Sequence, residues 1–208
     1  MELKELQKLW EENGVFQSKT RTYYELDILP KLCRKAQELI WDCAWEYKNY
    51  YLQVINLDDE LLDMTPIEQV FFVANDIFIY KMMSNVKTYI KLNSQETISV
   101  FGKNYRPDFI VKEMMVDDVD FELKKQVIIE CDGYNYHSSK QQRNNDIERE
   151  NNLKMAGYSI IRFTGTQIHN NPYLCVMQAL KFVYDENKDC IEEYIKQENE
   201  EIKKVLGE

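Results

Sequence analysis

Positions 127–133 read Val-Ile-Ile-Glu-Cys-Asp-Gly, a short apolar run with carboxylates set into its end. A run this brief, rich in β-branched residues and closed by glycine, is expected to be a strand. Being apolar on both faces, it belongs in the middle of a sheet. Side chains alternate along a strand, so Glu130 and Asp132 share one face and Cys131 takes the other. Charged residues rarely end a buried strand unpaired, so these two are candidates for chemistry.

The surrounding sequence supplies neighbours for that strand. Thr65-Pro66-Ile67-Glu68 has the form of a capping box with proline at the first helical position, and it opens a buried helix over IEQVFFVANDIFIY. Residues 97–111 become strand-like, TISVF and YRPDFIV on either side of a turn at Gly102. The acidic stretch 112–125 reads as an exposed loop or as a hairpin extension. Ser138 or Ser139 can cap a helix running to Met155, with Gly157 closing it in the left-handed conformation. Tyr158–Phe163 is a further strand, and a turn at Thr164-Gly165 leads into a short segment. Helices are expected at 2–12, from Pro30 to about Tyr51, at 172–186 and at 189–206. The order helix, three strands, helix, strand predicts an α/β fold, a mixed central sheet flanked by helices with helical extensions at both ends. The divisions expected are 1–63, 64–188 and 189–208, the first serving specificity or partner binding.

Composition narrows the function. The net charge of −10 argues against a protein that holds nucleic acid by bulk electrostatics. The charge is uneven: residues 1–60 carry 8 basic and 12 acidic side chains, whereas 140–162 carry five and three. A compact acidic site that takes a divalent cation fits this pattern, because the ion adds charge the sequence does not show. The five cysteines are spread out with no CxxC pair, so they read as reduced, mostly buried thiols. The charged start and the lack of a long apolar stretch give the expectation of a cytoplasmic protein with no membrane contact. The aromatic residues Trp41, Trp45, Tyr47, Tyr50 and Tyr51 pack a helical layer or stack on bases, and packing is the more common use.

Three carboxylates then converge. Asp108 closes Arg106-Pro107-Asp108, with 21 residues between it and Glu130, and neighbouring strands would bring Asp108, Glu130 and Asp132 together. Hard cations such as Mg²⁺ take oxygen ligands of this kind, and phosphodiester hydrolysis needs such an ion to polarise the phosphate and activate water. Each residue also has a bland explanation. Glu68 can be only a capping residue, Asp108 a Pro-Asp turn, His137 a loop residue, and Asp146, Arg149 and Glu150 a solvated helix face. Arg149 and Arg162 can instead pair with a backbone phosphate or with the acidic cluster.

The strings YRPDFIV, VIIECDGYNYH and DIERENNLKMAGYSIIRFTG resemble the PD-(D/E)xK nuclease superfamily, and within it the very-short-patch-repair-like (Vsr-like) endonucleases. The matching pieces are Pro107-Asp108, Glu130-x-Asp132, Asp132-Gly133 with His137, Asp146 with Arg149, Gly157-Tyr158 and Arg162-Phe163, and the Thr65–Glu68 helix opening. The resemblance spans about residues 64–180. It implies a restriction-endonuclease-like core and a Mg²⁺- or Mn²⁺-dependent endonuclease acting on DNA. The implied catalytic residues are Glu68, Asp108, Glu130, Asp132 and His137. The implied metal ligands are Asp108, Glu130, the Cys131 backbone carbonyl and Glu68. Lys140, Gln142, Arg149 and Arg162 are implied on the substrate. One departure stands out: the lysine usual two residues after Glu130 is replaced by Asp132, leaving that role to His137, Lys140 or Gln142, or leaving the site inactive. Two other functions stay open. One is a non-catalytic module on the nuclease fold, docking a protein partner or a second copy through the aromatic N-terminal helices. The other is a nuclease of the same fold that cuts RNA.

Overall fold

The computed structural model describes residues 28–47, 60–83, 88–116, 121–133 and 140–183. A 3-10 turn at Leu29–Lys31 precedes α1 (Arg34–Tyr47), α2 (Glu60–Asp63) and α3 (Pro66–Met83). The strands are β1 (Thr88–Ser94), β2 (Ile98–Val100), β3 (Lys103–Tyr105), β4 (Phe109–Val116), β5 (Phe121–Asp132) and β6 (Ser159–Thr164). Helix α4 (Lys140–Met155) joins β5 to β6, and α5 (Gly165–Asn170) and α6 (Pro172–Val183) follow.

Strands β1, β4, β5 and β6 form one sheet in that order, the first three antiparallel and β6 parallel to β5. The expected mixed sheet is therefore present, with β5 inside it. Alternation along β5 sorts its side chains: Val127, Ile129 and Cys131 enter the main core, while Ile128 enters a second, smaller one. The main core is closed by α1, α3 and α6. On the opposite face, Ile110 and Ile128 pack with Leu153 of α4 and with Ile98 and Val100 of the β2–β3 hairpin. Glu130 belongs to this second face. Residues Ile28 to Cys43 contribute to the main core together with α3.

Three expectations are corrected. Strand β1 was not foreseen, although Ile90 and Leu92 alternate with Lys91 and Asn93 and send their apolar side chains to the main core. Residues 112–116 and 121–125 are not loop but the paired ends of β4 and β5. The hairpin alternative is the one realised, with a register shift between Glu113 and Met114. Pro30 lies in the 3-10 turn, and α1 starts only at Arg34. The interruption is tertiary: Gln69 Oε1 accepts the Cys33 N–H at 2.7 Å, and Gln37 Nε2 donates to the Leu32 carbonyl at 2.8 Å. The expected helices at 2–12 and 189–206 lie outside the described residues.

Gly157 does what its position suggested. Its φ of 88° is left-handed, and Gly157 N–H and Tyr158 N–H donate back to Lys154 and Leu153 carbonyls at 3.0 Å, the Schellman pattern. Between α3 and the sheet, the Phe71 ring lies 5.4 Å from Phe109 and 5.9 Å from Phe163, all three fully buried. Truncating Phe71 to alanine removes the ring that bridges helix and sheet. Urea melts should show a loss of about 3–5 kcal/mol, the usual range for a buried aromatic.

Candidate active site

The ends of β4 and β5 set the geometry. Phe109 pairs with Ile129, which puts Asp108, one residue before β4, level with Glu130. Parallel pairing on the other side sets Glu130 beside Arg162 and Asp132 beside Thr164. Asp108 Oδ2 accepts the Cys131 N–H at 2.7 Å, stitching the two strands together at the carboxylates.

Each acid has a partner. Glu130, only 7% exposed, receives the Arg149 guanidinium from α4. Asp132 takes Arg162 in a two-point contact, Nε at 2.9 Å and Nη2 at 2.6 Å. Glu68, at the start of α3, accepts the Thr65 hydroxyl at 2.7 Å and lies 3.4 Å from the Thr65 N–H. It therefore does reach back over the helix start, as the bland explanation required. It also faces the acids: its charge acts on both Asp108 and Cys131.

Electrostatics couple the cluster. Burial pushes the Asp108 carboxyl up; the Cys131 N–H opposes this, and the charges of Glu68 and Asp132 add to the rise. Burial likewise pushes Glu130 up to about 7, Arg149 pulling it down and Asp108 adding to it. Burial, followed by the surrounding Asp108, Glu68 and Glu130 charges, pushes the Cys131 thiol far up, so it is no nucleophile. A carboxyl raised in the folded state keeps its proton where the unfolded chain has lost it. Glu130 thus contributes stability that is full below 4.5, its ordinary value, and is lost as pH rises through about 7. Metal-free protein should lose on the order of 2–3 kcal/mol between pH 5 and 8 in urea melts, Asp108 acting in the same direction.

Sequence reasoning missed Gln95. At the turn after β1 its N–H donates to the Asp108 carbonyl at 2.9 Å, its side-chain amide reaches Glu68 Oε2 at 3.5 Å, and its carbonyl accepts Arg106 Nε at 3.0 Å. It ties Glu68 to the Asp108 segment, and only its φ of 48° in a turn marks it out. Of the other expected residues, His137 lies outside the described residues. Lys140 and Gln142 lie in the first turn of α4, with their side chains outside the description.

Among the described residues no three His, Cys, Asp or Glu side chains are arranged to hold a metal ion. Glu130 and Asp132 each face a guanidinium. The chemistry of the donors suits a hard divalent cation: carboxylates at adjacent strand ends, with burial and like charge raising the cost of ionising them.

Comparison with known families adds one finding. Residues 90–182 match the model of the restriction-endonuclease-like family REase_MTES_1575. The match covers less than half of the chain and supports the PD-(D/E)xK superfamily. It spans Asp108, Glu130, Asp132, Arg149 and Arg162 and leaves Glu68 outside. The mixed sheet with flanking helices is consistent with a restriction-endonuclease-like fold, and restriction-endonuclease-like families usually use divalent metals. Neither the curated proteins nor the solved structures yield a match. No described helix is long and apolar enough to cross a membrane.

Proposed function

We propose that the chain is a divalent-metal-dependent endonuclease that hydrolyses phosphodiester bonds of DNA. The observation that carries this is the juxtaposition of Asp108 and Glu130 at adjacent strand ends, both with raised proton affinity. It sits inside the segment that matches a restriction-endonuclease-like family, and the sequence resemblance to Vsr-like enzymes points to DNA.

Asp108 and Glu130, with the Cys131 carbonyl and Glu68, would hold Mg²⁺ or Mn²⁺. The bound ion would polarise the scissile phosphate and acidify the attacking water. The chain's own residues do the rest. Arg149 supplies, beside Glu130, the positive charge that the missing motif lysine would have carried. Its guanidinium, now on Glu130, would suit a phosphate oxygen equally well when Glu130 serves as a metal ligand. Arg162 fixes Asp132, which keeps the strand end rigid and leaves Asp132 less free to bind metal itself. His137 is assigned proton transfer at the phosphate.

One observation favours a second reading, a non-catalytic nuclease-fold module: the carboxylates already have protein partners. Calorimetry with Mn²⁺ separates the two. The nuclease requires a saturable site that disappears in Asp108→Ala and weakens as pH falls below about 7, where Glu130 takes up a proton. Mn²⁺ uptake indifferent to Asp108 would remove the metal site and favour the binding module.

A further inference from the structure

The β2–β3 hairpin turns through Phe101-Gly102, with Val100 paired to Lys103 and both turn residues at positive φ, 50° and 73°. Two-residue turns of this kind favour Asn, Asp or Gly at both positions, and a bulky side chain in the left-handed region is an outlier. Phe101 is also 65% exposed, the most exposed phenylalanine among the described residues. Local physics therefore disfavours this residue twice, once for its backbone and once for its solvated ring.

The mount beneath it is firm. Ile98 and Val100 are buried in the second core, Ser99 Oγ meets Asn104 Oδ1 at 2.6 Å, and Asn152 of α4 donates to Tyr105 Oη at 2.7 Å. Lys103 pairs with Glu148 of α4. Strand β3 continues directly through Arg106-Pro107 into Asp108, so the tip lies at most about 25 Å from the carboxylates, seven residues along the chain. The hairpin packs on the same sheet face as Glu130.

We propose that Phe101 is a stacking platform for an unpaired base of the nucleic-acid strand that runs to the carboxylate cluster. The inference rests on the nuclease reading and deepens it. A chain of net charge −10 has little bulk attraction for a polyanion, and base stacking supplies affinity that does not depend on charge. A ring carried on a hairpin anchored in the second core needs little backbone ordering when a base lands on it.

The test is anisotropy with labelled single-stranded DNA and RNA oligonucleotides in metal-free buffer, so that nothing is cut. Phe101→Asn suits the turn better than the native residue, so its melting temperature should equal or exceed that of wild type. Its affinity should fall about tenfold with the slope against salt unchanged, and Phe101→Trp should bind as wild type. Unaltered binding by Phe101→Asn overturns the inference, as does a change in self-association in place of binding. Should wild type cut with Mn²⁺ while Phe101→Asn binds normally, only the stacking role falls. A wild type that neither binds nor cuts removes the nuclease reading and this inference together.

Discussion

Glu130→Gln is expected to lower phosphodiester cleavage by at least about a thousandfold without lowering the melting temperature at pH 8. The rate loss follows from removing a charged oxygen donor where a cation and the developing phosphate charge have to be stabilised. The stability follows from the same residue's burial. Glu130 is nearly inaccessible, and its ionised form is held there against a desolvation cost that lifts its pKa to about 7. Glutamine keeps the shape and removes the charge, and Arg149, 27% exposed, can turn its guanidinium to water. The urea midpoint of the variant should also lose most of the pH dependence expected of the metal-free wild type. A variant that melts well below wild type at pH 8 would mean that the Arg149 pair stabilises the fold more than burial of the acid destabilises it.

Arg149→Ala should behave in the opposite sense. It leaves the Glu130 carboxylate buried without its cation, a change that costs about 3–5 kcal/mol in a fully buried pair. Because Arg149 keeps some contact with water, about 2 kcal/mol is expected at pH 8. At pH 5 the folded protein holds Glu130 protonated, so the variant should melt close to wild type there. Cleavage should fall by about a hundredfold or more, the size of effect that follows from losing one charge-assisted contact to a reacting phosphate. Urea melts at the two pH values check the first part and single-turnover cutting checks the second. Equal destabilisation at both pH values would show that Arg149 acts through packing rather than through Glu130.

Much of the core was legible because its signals are local. The run Val127–Cys131 pointed to an inner strand, and alternation along it alone placed Glu130 opposite Cys131. Gly157 announced its helix end because few other residues accept its φ. What escaped was tertiary or ambiguous. Strand β1 mixes lysine and asparagine with the core-facing Ile90 and Leu92, so its pattern is weak until β4 is beside it. The ends of β4 and β5 mix charged with apolar residues around an acidic stretch, and composition alone does not separate such a hairpin extension from a loop. Pro30 promised a helix start, yet Gln69, distant in sequence, captures the Cys33 N–H and delays α1. At the site, the carboxylates could be named from the motif and the two arginines as candidate partners of the cluster, but not which arginine meets which acid. Arg149 and Arg162 sit among other charges on their elements, and only the register of β5 against β6 and the packing of α4 assign each to its acid.

The most direct test is cutting of supercoiled plasmid, single-stranded DNA and RNA with Mg²⁺ or Mn²⁺ by wild type, Asp108→Ala and Glu130→Ala. Metal-dependent cleavage of DNA that vanishes in both variants is the result expected of an endonuclease centred on Asp108 and Glu130. Cleavage of RNA alone would keep the centre and change its substrate. Wild type that cuts nothing, or cutting that survives in both folded variants, would contradict the assignment of catalysis to these carboxylates.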